Sequence, residues 1–202
     1  LVQLRGLGMF RVLRHKPWLR KRTATRKVFR RGIDLGQALP DAAARMKEMT
    51  LREGDTAPGF TAPVNGGDGV SLSQFHGRPV VLYFYPKDNT PGCNKEACGF
   101  RDAHDEITAM GAVVLGVSAD SVARHDKFID KFGLPFTLVA DEDKSICEAY
   151  GVWGSKSFMG RTFLGIKRMT FLIDADGVIR KIWPKVKVAT HAAEVLAALD
   201  EL

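Results

Sequence analysis

The sequence predicts an α/β fold in which a mixed central sheet has helices on both faces and follows a basic N-terminal extension. Three observations support this prediction. Short apolar runs rich in β-branched residues alternate with stretches of helical period. Glycine and Asp-Gly turns separate these segments. Charge also divides the chain: residues 1–50 hold 13 basic and 3 acidic residues, whereas the other 152 hold 17 basic and 20 acidic ones.

The first half of the folded unit is predicted to contain a hairpin and two buried strands. Gly-Gly-Asp-Gly predicts a turn within residues 64–72. Residues 79–85 and 112–118 are continuous apolar runs, typical of strands covered on both faces. Between them, residues 100–110 have helical spacing and end before a glycine that suits a helix C-terminus.

The second half adds two helices, a strand and a second hairpin before the last helix. Residues 121–133 begin with an N-cap serine and end at a glycine, which predicts a helix. Residues 136–141 predict a short strand, and the helical segment KSICEAYG follows it. Asp-Ala-Asp-Gly predicts a hairpin turn within 168–183, and residues 190–202 predict an amphipathic helix. This order of elements matches the thioredoxin fold.

Residues 1–48 are expected to form a disordered basic extension, and residues 49–202 the thioredoxin-like domain. Because all the basic excess lies in the extension, no nucleic-acid partner is expected for the domain itself. A binding function of the extension toward a membrane or nucleic acid is the alternative from another class. An import presequence fits its arginines, but no serine precedes Ser71. No run of 18 apolar residues suggests a membrane span.

Two of the three cysteines lie in the segment FYPKDNTPGCNKEAC, just after a predicted strand. Cys93 is placed where a helix begins, and a helix N-terminus offers unpaired N–H groups and partial positive charge. Pro91 suits the first helical turn, and the hydroxyl of Thr90 can reach the sulfur or an oxygen bound to it. The segment therefore predicts an anion-stabilising pocket around a nucleophilic thiolate, with no apolar burial of the sulfur.

The spacing of Cys93 and Cys98 constrains any bond between them. On one helix their Cα atoms would lie ~8.6 Å apart, whereas a disulfide rarely spans more than ~7 Å. A bond between them therefore requires the helix start to unwind. Cys-x4-Cys lacks the second ligand pair of a zinc site, and a disulfide reductase would need Cys-x-x-Cys. Cys147 is interpreted as a small buried apolar residue.

The pattern Pro86-x-x-x-Thr90-x-x-Cys93 resembles the peroxidatic motif of the peroxiredoxins. PGCNKEAC, together with VWGSKSFMGRTFLGIKRMTFLIDADG, resembles the peroxiredoxin Q branch, also called bacterioferritin comigratory protein. This resemblance extends over residues 49–202. It implies that Cys93 is the peroxidatic cysteine, that Cys98 is the resolving cysteine and that Arg168 is the active-site arginine. Substrate-binding roles are implied for Pro86, Thr90 and Arg168.

The resemblance also implies the activity and its partners. We expect a thiol-dependent antioxidant peroxidase that reduces hydrogen peroxide and organic hydroperoxides through a Cys93 sulfenic acid, which Cys98 resolves as an intramolecular disulfide. Thioredoxin or a similar dithiol is the expected reductant. No metal or other cofactor is implied. A monomer or weak dimer is expected, and the few cysteines suggest a reducing, cytoplasmic location. A redox sensor using the same cysteines remains the alternative.

Overall fold

The computed structural model describes residues 51–158 and 160–202, so the predicted extension lies outside the described residues. The strands are β1 (Thr61–Pro63), β2 (Gly69–Ser71), β3 (Val80–Phe84), β4 (Val113–Ser118), β5 (Thr137–Ala140), β6 (Trp153–Phe158), β7 (Arg161–Ile166), β8 (Met169–Ile173) and β9 (Ile179–Trp183). The α-helices are α1 (Pro91–Asp102), α2 (His104–Ala109), α3 (Val122–Phe132), α4 (Ser145–Ala149) and α5 (His191–Leu199). A short 3-10 helix follows β2. In this part of the chain no helix is long and apolar enough to cross a membrane.

The central sheet is mixed, as the sequence predicts. Its five strands lie in the order β5-β4-β3-β8-β9. The β3–β4 and β4–β5 pairs are parallel, whereas β8 is antiparallel to both β3 and β9. Because β8 runs against β3, Met169 at the start of β8 pairs with Phe84 at the end of β3. The residues just after β3 and just before β8 therefore lie at the same end of the sheet.

Each face of the sheet has its own apolar core, because successive side chains of β3 point to opposite sides. Leu82 and Phe84 pack with α4 and the β1–β2 hairpin on one face. Val81 and Tyr83 pack with α1, α2, α3 and α5 on the other. Every residue of β3 is buried, as expected of a central strand. The predicted fold, with helices on both faces, is confirmed.

Three local features differ from the sequence prediction. The predicted helix at 100–110 is divided: α1 extends to Asp102 and α2 starts at His104, and no proline or glycine marks the break. The first hairpin turns at Gly66 and Gly67, both with positive φ; its second strand, β2, lies within the predicted 64–72, but its first strand, β1, lies before residue 64. The β6–β7 hairpin was not predicted. Its strands contain serines, lysine and arginine, and they pair only with each other.

Candidate active site

The candidate site lies where β3 gives way to α1. The chain leaves the sheet after Phe84 and enters the helix at Pro91, with the N-cap Thr90 in an extended conformation. Cys93 is the third residue of α1, in the first turn, where backbone N–H groups have no intrahelical acceptor. Arg168 directly precedes β8 and reaches the same end of the sheet. The fold thus brings Cys93 and Arg168 together although 75 positions separate them.

The guanidinium of Arg168 bridges two acidic groups on α1. Its Nη2 donates to Cys93 Sγ at 3.1 Å, and its Nη1 donates to Glu96 Oε2. A Cβ atom on Gly92 would lie 3.3 Å from Nη2, so a residue without a side chain leaves room for this approach. Although burial disfavours the charged form, the neighbouring Glu96 and Cys93 raise the pKa of Arg168 above its usual value. The site therefore contains a permanent positive charge in contact with the thiol.

The sulfur is less open than the sequence analysis expected. Cys93 is only 2% exposed and belongs to the apolar core between the sheet and α1. The expectation of a sulfur free from apolar burial is therefore wrong. The sulfur lies among apolar side chains, and the Arg168 guanidinium is a cationic donor that contacts it.

Glu96 is a site residue that the sequence analysis missed. It is 2% exposed, and its Oε1 has no hydrogen-bond partner among the described residues. Burial raises the pKa of Glu96 to about 7, against the opposing effect of Arg168. The signal in the sequence was its position three residues after Cys93, which puts both side chains on one side of α1. Its carboxyl group therefore titrates close to neutral pH, within the site.

Lys156 adds a second cation. Its Nζ donates to the carbonyl of Ile166 at 2.7 Å, within the β6–β7 hairpin. Burial, followed by the positive charge of Arg168, lowers the pKa of Lys156, whereas Cys93 raises it. The sequence offered no signal for this residue, because the hairpin that positions it was not predicted.

The other predicted site residues take different positions around the sulfur. The Thr90 hydroxyl donates to the Lys87 carbonyl at 3.0 Å, and no hydrogen bond joins it to Cys93 in the described structure. Its oxygen lone pairs remain free to accept a hydrogen bond. Pro86 is half-buried at the edge of a groove of about 590 Å³. Cys98 is half-buried on α1 and unbonded, five residues beyond Cys93.

Cys147 lies away from this site. It is fully buried in the core on the opposite face of the sheet, the face that contains Leu82 and Phe84. Its backbone N–H donates to Asp141 Oδ2 at 2.8 Å. Burial, and then the neighbouring Asp141, raise the pKa of the Cys147 thiol well above its usual range. This placement supports its interpretation as a buried apolar residue.

Comparison with known proteins gives one family. Residues 53–182 match the model of the AhpC/TSA family. The chain is 52% identical over 151 residues to a putative peroxiredoxin bcp of Coxiella burnetii, a match covering 75% of this chain and all of that protein.

Solved structures are similar as well. A cysteine-to-serine mutant of Xylella fastidiosa PrxQ superposes with a TM-score of 0.71 and 39% identity, covering 75% of this chain and 96% of that one. A Xanthomonas campestris bacterioferritin comigratory protein, described for its alkyl peroxide reduction activity, has a TM-score of 0.67 and 44% identity, covering 70% and 90% of the two chains.

Proposed function

Because this chain belongs to the AhpC/TSA family and is a thiol-dependent peroxidase of the peroxiredoxin Q/Bcp type, we propose that Cys93 is its peroxidatic cysteine and Cys98 its resolving cysteine. The observation that carries this proposal is the 3.1 Å hydrogen bond from Arg168 Nη2 to Cys93 Sγ. Neither Cys98 nor Cys147 has a cationic hydrogen-bond donor at its sulfur in the described structure. Residues 49–202 form the proposed catalytic domain.

The first step is attack of the Cys93 thiolate on the terminal oxygen of a peroxide. A sulfur–oxygen bond forms and the O–O bond breaks, so that the sulfur is oxidised to sulfenic acid. The leaving oxygen takes a proton and departs as water or an alcohol. Arg168 and the free N–H groups at the start of α1 stabilise the negative charge that moves from sulfur to the leaving oxygen. The Thr90 hydroxyl donates to Lys87, so its lone pairs can accept a hydrogen bond from the peroxide.

Resolution follows when the Cys98 thiol attacks the Cys93 sulfenic acid. A disulfide forms and water leaves with the sulfenic oxygen. With ~8.6 Å between Cα atoms at this spacing on a helix, the first turns of α1 must open before the sulfurs can bond. A dithiol then restores both thiols by exchange and is itself oxidised to a disulfide. Thioredoxin or a similar dithiol is the proposed reductant.

The proposed substrates include organic hydroperoxides as well as hydrogen peroxide. The groove beside the site is partly apolar, and its lining includes Pro86, Lys87, Trp153, Lys156, Phe163 and Leu164. Phe163 is 49% and Leu164 58% exposed, so this wall of the groove offers apolar surface to a substrate tail. The alkyl peroxide activity described for the Xanthomonas campestris relative supports the same substrate class.

A comparison of three single substitutions tests the cysteine assignments. Cys93→Ser is expected to abolish peroxide consumption coupled to thioredoxin, thioredoxin reductase and NADPH. Cys98→Ser is expected to permit one oxidation of Cys93 without intramolecular disulfide formation, which mass determination of the intact protein detects. Cys147→Ser is the matched control and should retain wild-type turnover. Turnover by the Cys93 variant at a rate near that of wild type would remove Cys93 from its proposed role.

A further inference from the structure

A buried polar network lies beneath the loop that joins β3 to α1. The side chains of Asp88, in this loop, and His125, on α3, are both 0% exposed. Asp88 Oδ2 lies 2.9 Å from His125 Nδ1, and Asp88 Oδ1 accepts a hydrogen bond from the Tyr85 hydroxyl at 2.7 Å. Both carboxylate oxygens of a loop residue are therefore satisfied inside the protein. No step of the proposed chemistry uses this network.

The hydrogen-bond partners of His125 specify where its protons lie. Nε2 is 3.2 Å from the carbonyl oxygen of Val139, which can only accept, so Nε2 carries a hydrogen and donates it. Nδ1 faces the Asp88 carboxyl group. A proton therefore lies between Nδ1 and Oδ2, whether the imidazole or the carboxyl holds it. Through its two ring nitrogens, His125 joins the loop to β5.

The loop makes two further hydrogen bonds to the elements around it. The N–H of Asp88 donates to Asp120 Oδ2 at 2.8 Å, just beyond β4. Asn89 has a positive φ of 58°, and its side chain accepts from Lys131 Nζ on α3 at 3.0 Å. Thr90, the next residue, is the N-cap of α1. The loop is thus held by β4, β5 and α3, and none of these side-chain bonds comes from α1.

This arrangement separates a fixed part of the site from a part that must move. The proposed disulfide requires the start of α1 to open and later to form again beside Arg168. Because the partners of Asp88 include His125 and Asp120, neither of which lies on α1, these contacts can persist while α1 opens. Displacement of reacting groups by about 1 Å can lower a rate by about a hundredfold, so a fixed loop has a direct effect on the chemistry.

We propose that Asp88 and His125 are positioning residues of the peroxidase reaction. Their buried contact holds the loop so that Thr90, at the end of the loop, lies beside Cys93 in the reactive geometry. This inference rests on the proposed roles of Cys93 and Thr90. The competing interpretation is that the pair contributes only to stability, since removing one partner of a buried pair is destabilising wherever it lies.

Two substitutions of His125 separate these interpretations. Glutamine places its amide near the position of Nε2, so His125→Gln can retain the Val139 contact but loses the Asp88 contact. Asparagine places its amide near Nδ1, so His125→Asn can retain the Asp88 contact but loses that to Val139. Each variant loses one hydrogen bond, which makes the two a matched pair for stability. They differ in whether the hydrogen bond from residue 125 to Asp88, which holds the loop, is retained.

The measurements are the second-order rate constant for oxidation of Cys93 by hydrogen peroxide, its rate of alkylation by iodoacetamide, and stability in urea. We expect His125→Gln to lower the oxidation rate at least about tenfold and the alkylation rate by no more than about twofold, because alkylation does not require Thr90. His125→Asn should oxidise within about threefold of wild type. Equal oxidation rates in the two variants, whether both wild-type or both reduced, would overturn the proposal.

If His125→Gln does not fold, a milder substitution tests the same inference. Tyr85→Phe removes only the hydroxyl that donates to Asp88. We expect about a threefold slower oxidation of Cys93 with alkylation unchanged, and an unchanged oxidation rate would count against the inference. Cys93→Ser identifies the source of a failure. If that variant remained active, the proposed function would fall; if it is inactive while His125→Gln oxidises normally, only the positioning role falls.

Discussion

Arg168 Nη2 lies 3.1 Å from Cys93 Sγ, and the other terminal nitrogen of the same guanidinium contacts Glu96. One cation therefore serves two acidic groups that are three residues apart on α1. The charge of the guanidinium is constant over the physiological pH range, whereas both of its partners can gain or lose a proton. The electrostatic state of the site at a given pH consequently depends on how Cys93 and Glu96 share this cation.

Arg168→Met removes the charge and retains much of the apolar volume. We expect a smaller thiolate absorbance at neutral pH and at least about a tenfold slower oxidation of Cys93 by peroxide, because removal of one stabilising donor costs about tenfold or more. Ultraviolet titration and stopped-flow oxidation measure the two effects. Arg180→Met is the control, since Arg180 binds Asp174 at the other end of β8. A wild-type oxidation rate in the Arg168 variant would exclude this residue from the site.

Glu96 is expected to make the protein less stable as pH rises through neutrality. Its pKa in the folded protein is about 7, raised by burial from an ordinary value of 4.5. Between these values the folded state binds more protons than the unfolded state, so stability decreases with pH by up to about 3 kcal/mol.

Glu96→Gln should remove this contribution, because glutamine can still accept from Arg168 and does not ionise, so the stability of the variant relative to wild type should rise with pH. Urea unfolding at pH 5 and pH 8 measures it. The exposed Glu106→Gln, on α2, is the control and should retain the wild-type pH profile. If Glu96→Gln and wild type lost stability in parallel between pH 5 and pH 8, the carboxyl group would not be the source of the effect.

His191 is expected to act in the opposite direction over nearly the same pH range, so the two effects largely offset each other in the wild type. Burial lowers the pKa of His191 to about 4, and its Nε2 hydrogen-bonds Thr170 at 2.8 Å. Below the ordinary value of about 6.5 the unfolded state binds the extra proton first. The contribution of His191 to stability is therefore complete above pH 6.5 and decreases by up to about 3 kcal/mol as pH falls to 4. His191→Gln should flatten this part of the urea-stability profile, while His104→Gln should leave it unchanged.

Hydrogen exchange tests the opening of α1 that the disulfide requires. After peroxide treatment, wild-type amides at 93–101 should exchange faster than in the reduced protein, while those of β3 and β4 remain protected. Cys98→Ser should not show this change, because it lacks the second thiol. Cys147→Ser should behave as wild type. Full protection of 93–101 in the oxidised protein would mean that Cys98 does not pair with Cys93 in the same chain, and a second chain would then be the place to seek its partner.

The sequence was most informative where function depends on local spacing. Pro86, Thr90 and Cys93 are close in the chain, and the helix start around the sulfur could be predicted from the end of the preceding strand together with Pro91. Arg168 could be assigned only through the family resemblance. Its contact with Cys93 requires β8 to pair with β3 in one register.

Other site features depend on packing between distant segments. The spacing from Cys93 places Glu96 on the same side of the helix, but its burial and its contact with Arg168 could not be predicted from the sequence. Asp88 and His125 are 37 positions apart, and neither is flanked by a pattern that indicates a buried pair. The β6–β7 hairpin that supports Lys156 could not be predicted either, since its strands lack a regular apolar alternation. Tertiary contacts, rather than local propensity, determine these features.

Cys98 and Cys147 differ in burial, so the labelling rates of their thiols can distinguish local opening from global unfolding. Cys147 is fully buried in the core on the face of the sheet opposite the site. A thiol reagent therefore reaches it only when the whole domain opens. Cys98 is already half-accessible on α1. In a single labelling time course on the Cys93→Ser protein, the rate at Cys98 would report motion of one helix and the rate at Cys147 would report loss of the entire sheet. The ratio of the two labelling rates would compare local opening of α1 with global unfolding, without any added probe.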